Sequence, residues 1–217
     1  FPDDNTVPRR KVGVSALGDA QIDTAQSKFG GASAVFDGTG DYLDCNQPLF
    51  PTTANFTIEA WVRTSTLDGL RSIVSQRPST SQSGRMNFII NGDQSNKFQF
   101  FIGDYSGTTD LTLASTTSAV IDTWYYVAVS RSGDTFRLFV NGTLEDTQTP
   151  TGAFILQTSN TLVGANPGSF YWNGHIDELR ISNTARYTDD FIPQDAPFVN
   201  DANTLLLLHM DGTDGGT

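Results

Sequence analysis

A single cysteine, two histidines and two methionines in 217 residues leave little for redox or soft-metal chemistry. Cys45 alone excludes an intrachain disulfide, a cysteine zinc cluster and a dithiol pair, and it reads as a small buried hydrophobe. Basic side chains are also scarce, 13 Lys and Arg against 24 Asp and Glu, for a net charge of −11. Phosphate backbones and anionic membrane surfaces are repelled by such a chain, so nucleic acid is excluded as a partner. Long apolar runs are missing: the longest, Leu205 to Leu208 with its flanks, is far too short to span a bilayer. No long 3.6-residue period and no heptad pattern appears, which excludes a helical fold. The sequence has no initiating Met and no signal peptide, and it reads as a processed or partial product.

Aromatic side chains are abundant, with 15 Phe among 37% hydrophobic residues. That is enough for one rigid core in one large sandwich. Segments with β-branched and aromatic residues at alternate positions recur between clusters of Gly, Asn, Asp and Ser, the pattern of many antiparallel strands. Strands are predicted at 33–36, 42–45, 56–62, 72–75, 86–90, 98–102, 111–114, 124–130, 135–140, 143–146, 161–163, 175–181 and 204–208. Asn141-Gly142 supplies the positive φ angles of a tight hairpin turn and, with Ser132-Gly133-Asp134, fixes three consecutive strands as neighbours. In the segment 56–62, Phe56, Ile58, Ala60 and Val62 face one side while Thr57, Glu59 and Trp61 face the other. Trp61 and Trp124 are both expected in the core.

Four blocks carry a resemblance: 29–38 with 40–43, 56–62, 124–129 with 138–142, and 174–183. In this order they resemble the laminin-G-like and pentraxin-like jelly rolls of the concanavalin-A-like lectin and glucanase superfamily, and tandem modules of phage and bacterial surface proteins. The resemblance implies an all-β, two-sheet antiparallel jelly-roll sandwich, a single domain over 1–217, with ligand sites on edge loops or on a sheet face. Residues 184–203 form a connector. The Leu-rich strand within 204–217 resembles the opening strand of such a module, and it either closes its own sandwich or enters a neighbouring copy through Thr204 to Leu208.

Enzymatic activity is not expected. Laminarinase-type relatives carry Glu-x-Asp-x-x-Glu on one strand, whereas the acidic pair here, Asp177-Glu178, is adjacent and points to opposite faces. His175 and His209 read as structural. A sugar site needs an aromatic platform with planar polar groups for hydroxyls, and the loop holding Asn166, Phe170, Tyr171, Trp172 and Asn173 has that composition, with Asp104 and Tyr105 as a smaller second loop. The alternative for Phe170 and Trp172 is closure of the sandwich end. Calcium is the expected cofactor, since the Gly-rich loop presenting Asp37 and Asp41 offers hard oxygen ligands, with Asp177 as a third; an ordinary turn in which these acids bond local backbone is the alternative. The leading function is a lectin-like, adhesive module outside the cell, on a cell surface or on a virion, with a cell-surface glycan as partner. A structural subunit that assembles by strand exchange is the alternative.

Overall fold

The computed structural model describes residues 12–50, 54–77, 84–91, 95–103, 111–151, 158–167 and 170–217. Strands are numbered along the chain. One sheet of seven strands has the order β1 (Ser15–Leu17), β4 (Tyr42–Asp44), β13 (Thr161–Val163), β6 (Leu70–Gln76), β7 (Arg85–Asn91), β8 (Lys97–Gly103) and β9 (Leu111–Ser118). The facing sheet of eight strands has the order β12 (Thr143–Gln148), β11 (Thr135–Val140), β10 (Trp124–Ser132), β5 (Phe56–Thr64), β14 (Asn173–Ser182), β3 (Ser33–Asp37) and β2 (Gln21–Asp23), with β15 (Thr204–Leu208) also on β14. All pairings are antiparallel and there is no helix among the described residues. The expected two-sheet sandwich is therefore present. β1 and β2, which alternation did not predict, are three residues each.

Alternation decides what fills the space between the sheets. Phe56, Ile58, Ala60 and Val62 from β5 meet Met86, Phe88 and Ile90 from β7 and Phe98, Phe100 and Ile102 from β8 in one cluster. At one edge the sheets are tied by polar contacts from β12 to β9: the Ala114 N–H donates to Asp146 Oδ2 (2.9 Å) and the Thr117 N–H to Glu145 Oε2 (2.9 Å). The β11–β12 turn is the predicted tight one, with φ of 50° at Asn141 and 82° at Gly142.

The eight-stranded sheet is buried on its outer face as well. Trp61, Tyr126, Ala128 and Phe139 point outward and are covered by Phe198 and Leu207, with Tyr187 and Phe191 packed against them. Residues 184–203 are thus more than a connector: they lay a second apolar layer on the sheet, with the Tyr187 and Phe191 rings stacked at 3.6 Å. Trp61 belongs to this outer layer and not to the central core. Trp124, expected in the core, is only half-buried: β10 places it opposite Arg63 on the outer face, where it packs against the edge of this outer layer.

β15 pairs with β14 of its own chain. β14 lies along β5 for its whole length, but its other edge is shared: β3 occupies Asn173 to Ile176 and β15 occupies Leu179 to Ser182. Between the two, Glu178 takes a positive φ of 51° at a bulge in the β14–β5 register. Within this chain the Leu-rich strand fills the edge that β3 leaves open.

Candidate functional site

The loop singled out from sequence runs beside the end of β6. Its aromatic residues do not share one surface. Trp172 is fully buried in the central core (0% exposed) and presents no ring to a ligand, so the alternative of closing the sandwich end holds for it. Phe170 is half-buried in a positive-φ conformation and its carbonyl accepts the Ser72 N–H at 3.0 Å. Tyr171 is half-buried and pairs with Tyr42, ring centroids 6.4 Å apart, while its carbonyl accepts from Arg71. Asn173 donates through Nδ2 to the Asp37 carbonyl (3.0 Å) and stitches β14 to β3. Asn166 is 1% exposed, and neither its Oδ1 nor its Nδ2 has a hydrogen-bond partner. Asp104 and Tyr105 lie outside the described residues.

The three acids expected to hold calcium do not converge. Asp41 is buried, and its Oδ1 and Oδ2 accept the backbone N–H groups of Asp19 (2.5 Å) and Asp37 (2.9 Å). Asp37 is exposed and accepts from the Thr39 N–H (2.6 Å). The β14–β3 register pairs Asn173 with Asp37 and Ile176 with Ala34, so Asp177 stands level with Ser33, about 13 Å along the strand from Asp37. Among the described residues no group of three or more His, Cys, Asp or Glu is arranged to hold a metal ion. The donor set does not fit a shared calcium cage, and the loop is a turn whose acids bond the local backbone.

Asp177 has a different role. It is fully buried, its Oδ2 accepts the N–H groups of Lys28 (2.7 Å) and Phe29 (3.0 Å), and its Oδ1 has no partner. Burial pushes its pKa up to about 7; the two N–H bonds oppose the rise, and the nearby Glu178 and Asp211 carboxylates add to it. A folded value above the unfolded one, about 3.9, means that Asp177 contributes stability that is full below about pH 4 and is lost as pH rises through 7. Asp177→Asn keeps an acceptor for both N–H groups without the charge. In thermal melts the variant is expected to exceed the parent at pH 8 and to match it at pH 4; equal melts at pH 8 would show that the buried carboxylate carries no cost.

Both histidines are bound to acids. His175 Nε2 lies 2.8 Å from Asp23 Oδ2, and His209 Nδ1 lies 2.6 Å from Glu178 Oε1. Each tie joins sequence-distant segments to β14, as expected for structural residues.

Among the described residues, a group of buried amides with unpaired hydrogen-bonding atoms lies on the outward side of the seven-stranded sheet. Alternation turns Met86, Phe88 and Ile90 inward, and therefore turns Asn87 and Asn91 outward on β7, beside Gln99 and Phe101 on β8 and Ser75 on β6. Asn87 is 1% exposed and accepts from Ser72 Oγ (2.7 Å); Asn91 Nδ2 donates to Gln99 Oε1 (3.0 Å). Ser72 and Ser75 both donate to the Ala165 carbonyl (3.2 and 2.7 Å), which seats the neighbouring Asn166 against this face. Asn91 Oδ1 and both amide atoms of Asn166 remain without partners. Such groups cost free energy when buried dry, and planar amides with an aromatic ring suit the hydroxyls and apolar face of a sugar. The half-buried ring here is Phe101, with the Arg85 guanidinium 5.2 Å above it. Asn87, Asn91 and Gln99 were not among the residues singled out from sequence. The signal that could have found them is amides at alternate positions of strands, where such side chains are disfavoured.

A family model described as the concanavalin A-like lectin/glucanases superfamily matches residues 37–190. No curated protein matches the chain. Among solved structures it is similar to the CBM40 of the Ruminococcus gnavus IT-sialidase bound to α2,3-sialyllactose, with 16% identity over 63% of this chain and 79% of that one and a TM-score of 0.56. Domain 4 of AbnA, an extracellular GH43 arabinanase from Geobacillus stearothermophilus in complex with arabinotriose, shares 15% identity over 80% of this chain and 82% of that one, with a TM-score of 0.63. The enzymatically active domain of bacteriophage CBA120 tailspike protein 2 shares 13% identity over 96% of this chain and 34% of that one, with a TM-score of 0.69. At these identities the likeness is one of fold.

Proposed function

We propose that this chain, which belongs to the concanavalin A-like lectin and glucanase superfamily, is a non-catalytic carbohydrate-binding module whose ligand lies on the outer face of the seven-stranded sheet. The observation that carries the reading is the set of buried amides on that face, Asn87, Asn91, Gln99 and Asn166, with hydrogen-bonding atoms of Asn91 and Asn166 left unpaired. The opposite face of the sandwich is largely taken up by the chain's own residues 184–203, with their rings on Tyr126 and Phe139. Modules of similar fold that were solved with sialyllactose and arabinotriose support the reading. The extracellular arabinanase and the phage tailspike support a setting outside a cytoplasm, as part of a larger surface or virion protein.

The test uses Asn166, whose amide atoms both lack a partner, because removing a buried group that bonds nothing should not weaken the fold. A glycan array on the parent chain identifies the bound sugar, and titration of that sugar is repeated on Asn166→Ala. Affinity is expected to fall about tenfold or more with the melting temperature unchanged or raised. Undiminished binding would remove this face from consideration.

A further inference from the structure

We infer that the ligand of this face is an oligosaccharide held along its chain, with a subsite on the strip formed by β1, β4 and β13. There Tyr42 and Tyr171 supply rings, and Asp44 and Asn160 supply polar groups. The inference rests on the reading of the face as a sugar site and goes beyond it by naming the ligand class and the residues that select it. It starts from alternation. Leu43 of β4 and Val163 of β13 are fully buried in the central core, so Tyr42, Asp44 and Leu162 point to the outer face. β4 pairs Asp44 with Leu162, β6 pairs Leu162 with Ser75, and β7 pairs Ser75 with Asn87, which sets the strip in one row with the amide group. Those amides are enclosed, whereas Tyr42, Asp44, Leu162 and Tyr171 are only half-buried and Asn160 is exposed. The strip is the part of this face that a ligand reaches from solvent.

The Tyr42 and Tyr171 rings lie 6.4 Å apart between centroids, tilted by 34°, and each is carried on backbone that the sheet holds. Tyr42 lies within β4, between β1 and β13. Tyr171 is fixed from both sides: the Ser72 N–H donates to the Phe170 carbonyl at 3.0 Å, and the Trp172 N–H donates to the Gly164 carbonyl at 2.7 Å. Rings placed in advance lose little freedom when the apolar face of a sugar lies on them. On the same side of β4, Asp44 Oδ1 accepts the Asn46 N–H (2.7 Å) and Oδ2 accepts from Asn160 Nδ2 (3.2 Å). A carboxylate and an amide are thereby set side by side, with acceptor capacity left over for hydroxyls. From β6, where the bonded Ala165 carbonyl seats Asn166, to β4 is two strand spacings, about 10 Å. One sugar ring does not span that distance, so a ligand that touches both Asn166 and Tyr42 has several units.

Ladders of one to six sugar units from arabinan, xylan, mannan and starch, each titrated into the whole chain by calorimetry, read this subsite. At least one ladder is expected to bind, with affinity rising about tenfold or more between one unit and four. Tyr42→Ala/Tyr171→Ala is expected to flatten that rise while leaving the affinity for a single unit unchanged, which a misfolded variant would not show. Tyr42→Phe/Tyr171→Phe is expected to keep the rise, because the ring and not the hydroxyl receives the sugar's apolar face. A ladder that binds equally at every length and is weakened by Asn166→Ala would overturn this inference and leave the sugar face standing, as would an array sugar recognised only as a single terminal unit. A rise that survives Tyr42→Ala/Tyr171→Ala would overturn it by placing the added units elsewhere. No binding of any ladder, together with a blank array, would overturn both readings.

Discussion

A chain ending at Asn203 is expected not to fold. Leu206 and Leu208 of β15 enter the central core and Leu207 enters the outer apolar layer. Three buried leucines at roughly 1.5 to 3 kcal/mol each come to about 5 to 9 kcal/mol, comparable with the whole stability of an ordinary domain, about 5 to 15 kcal/mol. The truncation also strips the hydrogen-bonded edge of β14 from Leu179 to Ser182 and the His209 contact with Glu178. Circular dichroism and size exclusion should show an unfolded or aggregated product. A peptide of residues 204–217 added in trans is expected to restore structure, because an open edge beside a vacant apolar slot accepts a strand from any source. A truncated chain that stays folded, monomeric and as stable as the parent would contradict the placement of β15.

This strand shows why alternation reads a fold better than it reads a boundary. Four consecutive leucines in a polar tail declare burial, but nothing local says which edge receives them. The answer lies in the length of β3, which leaves half of β14 unpaired. β1 and β2 were invisible for the opposite reason: Ser15 to Leu17 and Gln21 to Asp23 are too short and too polar to show a period, and are held by partners 10 to 29 residues away. The outer layer over Tyr126 and Phe139 was also hidden. Tyr187, Phe191 and Phe198 are spaced too irregularly for a strand, and become legible only once β5, β10 and β11 present their outer faces together.

The site was legible only in part, and for a related reason. Composition drew attention to the loop from Asn166 to Asn173, and Asn166 does stand at the polar face. Three adjacent aromatics suggested a platform, yet Trp172 immediately precedes β14 and turns inward to plug the sandwich. What sequence could not supply is adjacency across strands. Asn87 and Gln99 are unremarkable singly, and they become a surface only because β6, β7 and β8 lie in register. The acids were misjudged in the same way: Asp41 has the composition of a ligand, but its oxygens are already taken by backbone N–H groups that only the fold brings to them.

Glu59→Ala is expected to cost about 3 to 5 kcal/mol, the range for breaking a buried ion pair from one side. Glu59 is fully buried on the outer face of β5, and its Oε1 lies 2.7 Å from Arg180 Nε and 3.5 Å from Arg186 Nε. The hydroxyls of Tyr126 and Tyr187 both donate to its Oε2, the latter at 2.8 Å. Burial, followed by the charge of Glu59, pushes the Tyr187 pKa up to about 12, so that hydroxyl stays a donor across the stability range of the protein. Without the carboxylate, Arg180 remains in the interior with its charge unopposed and two phenols lose their acceptor. The loss reaches the cover, since Tyr187 and Arg186 belong to the segment that overlies the sheet and Arg186 holds Asp201 through both terminal nitrogens at 2.9 and 2.8 Å. Glu59→Ala should therefore lower the urea midpoint and also speed proteolysis within residues 184–203. Replacing both charges, Glu59→Leu with Arg180→Leu, is expected to recover much of the stability, because an apolar pair of similar size avoids the desolvation cost of both ions. A midpoint unchanged by Glu59→Ala would mean that the cover is seated by its rings alone, through Phe191 and Phe198 on Tyr126.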